Sequence, residues 1–247
     1  MKNIIICFCI FFLISIDKLL AQKIDFVSNQ LITYQFTYQP DSLDVSVRIV
    51  EIMNLYIGDN QSLYENVKWK EYDSIVERTR YTKVLDFDKL PKFSITHFIY
   101  KNSDSELLFA DNFQIGRLKY FENLKGLNWQ IKKEKKYIDD YLCQKAELNY
   151  GGRKFIAWFK SAIPINEGPY KFKNLPGLIF EVYDTNNYFN FKLVQIKNTE
   201  QRIIKNFDNY VKIDKAEYYP KKEKIYNSLY SKRNIQRKVI YNPIEKK

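Results

Sequence analysis

The chain has 247 residues, 45% of them hydrophobic and 17% aromatic, and 40 Lys and Arg against 29 Asp and Glu give it a net charge of +11. Such basicity suits anionic partners, although Lys, Asn, Ile, Tyr and Phe are also the residues of AT-rich codons, so base composition alone can produce both the charge and the rings. With 3 Cys and a single His, the material for a disulfide framework, a zinc cluster or a Ser–His–Asp triad is largely missing.

The first 21 residues read as a cleaved secretory signal. Lys2 supplies the positive start, and the stretch from Ile4 to Ile16 is apolar apart from Ser15. Asp17 and Lys18 close that stretch, and Ala21 before Gln22 marks the cleavage point. It falls short of the roughly 20 residues a helix needs to cross hydrocarbon. Cys7 and Cys9 lie inside it with no small-residue lipobox, so lipidation is not expected. Export to the periplasm, the outer membrane or the medium follows, which removes nucleic acid as a partner and leaves anionic lipid, lipopolysaccharide or acidic polysaccharide. Residues 22–247 then form one domain with Cys143 as its sole thiol, held together by burial and backbone pairing. No later segment is apolar enough to span a membrane.

In chain order, the first strand is 31–38, where Tyr34, Phe36 and Tyr38 alternate with polar residues. Pro40-Asp41-Ser42 turns the chain into a second strand over 45–57, and Gly58-Asp59-Asn60 ends that strand. A short strand over 62–67 comes next. Trp69, Tyr72, Ile75 and Val76 share one face of a helix over 69–81. Strands over 94–100 and 107–113 flank the polar turn Asn102-Ser103-Asp104, and 127–131 and 136–141 are further strand candidates.

The sharpest local expectation is a hairpin over 142–159, because Gly151-Gly152 supplies the positive φ angles of a two-residue turn. That turn sets Tyr150 opposite Arg153, Leu148 opposite Phe155, Ala146 opposite Ala157 and Lys145 opposite Trp158. Leu148, Phe155, Ala157 and Phe159 face the core; Cys143, Ile156 and Trp158 face the other way, with Lys145 able to lie over the indole. A second hairpin joins 178–183 to 188–196 through a turn at 184–187, and apolar residues on both faces of Leu178-Ile179-Phe180 mark a strand covered on two sides. A basic helical segment spans about 214–236, with Tyr218, Ile225, Leu229 and Tyr230 recurring along it and Pro220 near its start. It either packs its apolar stripe on the sheet or lies on an anionic surface.

Between the hairpins stand Ile163-Pro164-Ile165, Gly168-Pro169-Tyr170-Lys171-Phe172 and Leu175-Pro176-Gly177-Leu178-Ile179. This pattern resembles the GLPGLI family, exported proteins of one Gram-negative phylum whose biochemical function is unknown. The resemblance extends to Trp129, to Cys143-Gln144-Lys145-Ala146, to Arg153 and to Ala157-Trp158-Phe159. Asn174 departs from it, standing where the family has its first Gly; Asn tolerates a left-handed backbone better than most residues. Read without the family, three prolines and two glycines between Ile163 and Gly177 exclude helix and ladder, and Leu175-Pro176-Gly177-Leu178 fits a type II turn. The apolar residues of this stretch argue for an ordered loop pressed on a sheet face or across a cavity mouth.

The fold expected is mainly β, a β-rich α+β domain: a single curved antiparallel sheet, half-barrel or open barrel, with one or two accessory helices. Trp129, Lys145, Arg153 and Trp158 are candidate binding residues beside the loop. No catalytic residue, metal site or cofactor is assigned. The leading functional expectation is a non-enzymatic envelope protein that binds a lipid or other amphipathic ligand, or an outer-membrane partner. The alternatives are a hydrolase using Glu167, Glu181 or Asp184, and an interaction module without a pocket. A Cys143–His97 nucleophile pair is formally available, but a lone Cys is more often a buried small hydrophobe.

Overall fold

The computed structural model describes residues 23–102, 104–113, 116–231 and 239–246. The expected signal at 1–21 and the 232–236 end of the basic segment lie outside the described residues.

The strands are β1 (Lys23–Tyr38), β2 (Ile49–Gly58), β3 (Gln61–Asn66), β4 (His97–Lys101), β5 (Glu106–Phe113), β6 (Gly116–Asn123), β7 (Gln130–Ile138), β8 (Tyr141–Tyr150), β9 (Arg153–Lys160), β10 (Leu178–Asp184), β11 (Phe189–Asn206) and β12 (Val211–Lys212). They form one sheet in the order β12-β6-β5-β4-β3-β2-β1-β11-β10-β9-β8-β7. Two meanders, β1 to β6 and β7 to β11, are therefore joined at the sheet's middle by the antiparallel β1–β11 pair. The sheet is mixed rather than wholly antiparallel, because the two-residue β12 runs parallel to β6 at one edge. Helix α1 (Trp69–Thr82) follows β3, and α2 (Lys215–Ser231) follows β12.

Side-chain alternation divides the core in two. Leu107 and Phe109 of β5 belong to one buried cluster, Leu108 and Ala110 to the other. The larger cluster also takes Tyr34, Phe36, Phe191 and the rings of the 163–177 loop, while the smaller one holds Trp69 of α1 with Phe98 and Phe207. The sheet is curled around the larger cluster. Tyr150 of β8 donates to Glu122 Oε1 of β6 at 2.7 Å, although these strands stand nine positions apart in the sheet order. In a flat sheet that separation is roughly 43 Å. The two flanks therefore fold over to face each other, and side chains rather than ladder hydrogen bonds span the gap: this is the open form of the expected barrel.

The 142–159 hairpin has the expected register, with Tyr150 opposite Arg153, Leu148 opposite Phe155, Ala146 opposite Ala157 and Lys145 opposite Trp158. Gly151 and Gly152 take φ of 55° and 71°, which only glycine adopts cheaply. The cation over Trp158, however, is Lys136 of β7, 4.6 Å from the ring. Lys145 turns instead to Glu147 and Glu134 at 3.1 and 3.4 Å, because carboxylates stand within its reach on β8 and β7.

Other expectations need correcting. The second strand starts at Ile49, since residues 45–48 belong to the preceding loop. The candidates 127–131 and 136–141 are largely one strand, β7, irregular in register between Ile131 and Lys135. β1 and β11 run well beyond the expected ends, over 16 and 18 residues. The type II turn at 175–178 does not form: Gly177 has φ of 154°, far from the roughly 80° of that turn, and the Leu178 N–H donates to Ile163 O at 3.0 Å. Glycine is required there for another reason, since a Cβ would lie 2.2 Å from Lys160 O.

Candidate functional site

The 163–177 loop enters the curl and fills part of it. Asn174 N–H donates to Asn166 O at 2.8 Å, and Glu167 and Lys173 form a bridge. The loop thus pairs its own two arms, and Gly168-Pro169-Tyr170-Lys171 forms its tip. Phe172 is fully buried among the rings of Phe155, Trp129, Phe191 and Tyr150, at centroid distances of 4.8 to 6.4 Å. Burying such a ring is worth about 2–3 kcal/mol. Trp129 Nε1 donates to Lys173 O of the loop at 2.9 Å, and Tyr34 OH to Ile179 O at 2.7 Å just beyond it in β10.

Two ion networks hold the loop. In the first, Glu167 meets Lys101 at 2.7 Å and Lys173 at 3.0 Å and accepts from Ser62 Oγ at 3.1 Å. Burial raises the Glu167 carboxyl pKa, but the two lysines more than offset it and hold the group below its ordinary range. In the second, Lys171 and Lys215 each pair with both Glu122 and Glu245 at 2.5–2.6 Å. The Lys171 ammonium also lies within 5.0–5.9 Å of the centroids of Tyr120, Phe109, Tyr170 and Tyr150. Burial pushes the Glu245 carboxyl up, yet Lys171 and Lys215 bring it down to about 2.

Beside the loop a partly open cavity enters the interior among the described residues. A cavity of about 370 Å³ is walled by Phe36, Phe109, Phe189, Tyr170, Tyr218 and Tyr219, with Pro40, Ile49 and residues 93–97 at one side and Tyr241, Asn242 and Ile244 at another. Tyr170 separates cavity from plug. Its φ of 54° is unusual for a bulky residue, and its hydroxyl donates to Glu245. Residues 239–246 roof the space. Asn242 N–H donates to Pro40 O at 3.0 Å, and Lys246 N–H to Gly151 O at 2.6 Å. Arg153 donates to Asn242 Oδ1 at 2.5 Å and to Pro243 O at 2.7 Å.

One wall of the cavity is polar. Asp111, fully buried, accepts from Thr96 Oγ1 at 2.6 Å, from Lys222 Nζ at 2.9 Å and from Tyr218 OH. Burial raises its carboxyl pKa, but Lys222 together with these donors holds it below the ordinary value. His97 lines the same cavity and is 7% exposed. Its Nε2 has no hydrogen-bond partner among the described residues. Burial lowers the imidazole pKa to about 3, with Lys222 adding to the effect.

Of the motif residues, Tyr170 lines the cavity; Lys171 and Phe172 are buried behind it; Gly168, Pro169, Leu175, Gly177, Leu178 and Ile179 are buried, Ile163 is half-buried, and Pro164 and Pro176 are exposed. Trp129, Lys145, Arg153 and Trp158 are not on the cavity wall. Trp129 and Arg153 instead fasten the loop and the 239–246 roof, and Trp158 carries Lys136. Glu181 and Asp184 face Lys136 at 2.6 Å and Arg153 at 3.4 Å. With Glu167 between two lysines, each of the three carboxylates considered for acid–base work meets a cation rather than a second carboxylate. Burial also pushes the Cys143 thiol up to about 11, so it is not a poised nucleophile. Asp111 and Asn112, polar residues inside the otherwise apolar stretch Leu107 to Phe113, are the sequence signal of the polar wall; Tyr241, Asn242 and Ile244 carry none.

The fold and site define an open, curled β-sheet with a self-inserted loop and an aromatic cavity. A protein-family profile described as "Protein of unknown function (Porph_ging)" matches residues 150–181, the span from the Gly-Gly turn through the loop into β10. No curated protein matches the chain significantly. Two solved structures of PNGF-II, in C2 and P21 space groups, are similar in fold, with TM-scores of 0.52 and 0.50 at 16% and 17% identity. The similarity covers 77% and 78% of this chain but 32% of the PNGF-II chain in each case, so the chain spans about a third of that protein. At this identity the likeness concerns the fold. No helix among the described residues is long and apolar enough to cross a membrane.

Proposed function

We propose that this is an exported envelope protein of the GLPGLI type that holds an apolar or amphipathic ligand in the aromatic cavity inside its curled sheet, without covalent chemistry. The observation that carries the reading is the cavity itself. About 370 Å³ remains unfilled among the described residues beside a loop whose tip, Tyr170 to Phe172, is fully buried, and it lies within the size range of ligand sites. Its mixed lining, rings with a few polar groups on one wall, suits a ligand with an apolar body. The charged apolar-run leader at residues 1–21 supports export, and the basic surface suits an envelope rich in anionic groups.

Native mass spectrometry of protein purified from its own envelope tests this. A co-purifying small amphiphile is expected, and Ile244→Phe, which fills the cavity from its roof, is expected to lose it while remaining folded. Repeated preparations carrying nothing, together with failure of simple amphiphiles to bind, would end the proposal.

A further inference from the structure

The polar wall narrows the ligand class. Lys222 is the only charged side chain among the described residues that line the cavity, and Asp111 matches it at 2.9 Å. The next charges that His97 senses are Lys171 and Glu245, and these pair with each other. Among the described residues the surroundings therefore cancel charge by charge, and a ligand whose charged head is seated against this wall would bury it without a counter-ion, at a cost of several kcal/mol.

His97 is the exception to this completeness. Its ring packs against Phe109 and Tyr170, with centroids at 5.0 and 5.8 Å. Its Nε2 is shielded from water and unpartnered among the described residues, a state that costs about 1–3 kcal/mol in a buried group. A small turn of the ring that brings this nitrogen to the cavity surface lets a ligand in the adjoining space hydrogen-bond it and removes that cost.

We infer that the cavity selects a neutral amphiphile of about a dozen heavy atoms, whose hydroxyl, amide or ester group hydrogen-bonds His97 while its chain lies against Phe36, Phe109 and Phe189. This rests on the ligand-binding reading above and adds a choice between neutral and charged heads. Burial keeps the imidazole uncharged well below neutral pH, so it offers a hydrogen bond and no charge.

The test compares 1-decanol, decanoate and decylammonium by isothermal titration calorimetry at pH 7.5, with imidazole ¹⁵N NMR as a second readout. Because the chain has one histidine, its ring signals need no assignment. Decanol is expected to bind at least about tenfold more tightly than either charged probe and to shift the Nε2 resonance. His97→Phe should bring decanol and decane to similar affinities. Decanoate or decylammonium binding as well as decanol, or decanol binding with the Nε2 signal unmoved, overturns this inference and leaves the ligand reading standing. Failure of all three probes, with no co-purifying molecule, overturns both.

Discussion

Two neighbouring regions of the curled interior meet at Tyr170 and are finished differently. On one side the chain inserts its own loop, whose tip is fully partnered: Phe172 sits among five other aromatic side chains, and Lys171 lies between two carboxylates. On the other side helix α2 and residues 239–246 only roof the space, leaving a cavity and an Nε2 of His97 that has no partner among the described residues. The difference teaches that the void is not a failure of packing in a short chain. The same sheet is closely packed a few ångströms away, around Phe172 and Lys171, so among the described residues the open space is local to this side.

That contrast can be broken at its strongest point first. Lys171→Met should destabilise the protein by about 3–5 kcal/mol, because it leaves the buried Glu245 and the half-buried Glu122 with one lysine between them; chemical denaturation measures this, and a loss under 1 kcal/mol would mean that the plug is not held by its ion pairs. Gly177→Val should cost about 2–4 kcal/mol, since its Cβ would strike Lys160 O and the loop could no longer meet β10. Retained stability in that variant would show that the close approach is absent in solution.

The cavity side has its own signature in acid. His97 has its folded pKa lowered to about 3 from an ordinary 6.5, so the unfolded chain binds the proton more readily. Its contribution is fully present above pH 6.5 and is lost as pH falls from there toward 3, at up to about 1.4 kcal/mol per pH unit. Glu245, lowered from 4.5 to about 2, loses its contribution only below about pH 4.5. Denaturation midpoints should therefore begin to fall near pH 6.5 in the native protein, and His97→Phe should remove the upper part of that fall. The smallest expected effect is at Asn174, whose φ is 72°: Asn174→Gly should change stability by no more than about 0.5 kcal/mol, which thermal melting resolves.

What could be read in advance follows the range of the interactions involved. The Gly151-Gly152 hairpin was legible down to its register because two adjacent residues fix the turn, and the turn fixes each pair along both strands. β7 reads as two pieces because Lys133, Glu134 and Lys135 face solvent around an irregular register and the run from Lys132 to Lys136 shows no apolar alternation. The far half of β11 is largely exposed and carried no burial signal either. The absence of a type II turn could not be read, because Gly177 answers to Lys160 across space rather than to Pro176 beside it. The cavity was the least legible feature. Its wall joins Phe36, His97, Tyr170, Tyr218 and Ile244, which come together only once the sheet curls, and no local pattern encodes that curl. His97 stands out in the sequence as the single histidine, but the lack of a partner for its Nε2 among the described residues is a property of the surroundings and not of the strand.

The place of β1 carries a consequence for how the chain is made. One flank of β1 pairs with β2 as soon as both exist, but the other waits for β11; Asp25 and Arg202, which meet across that junction, are 177 positions apart. At synthesis rates of about 5–20 residues per second, the waiting edge stays bare for on the order of ten seconds. Bare edges of this kind recruit stray strands, so the newborn polypeptide needs shelter at its centre rather than at its margins. Refolding is expected to be limited by this late meeting of distant segments.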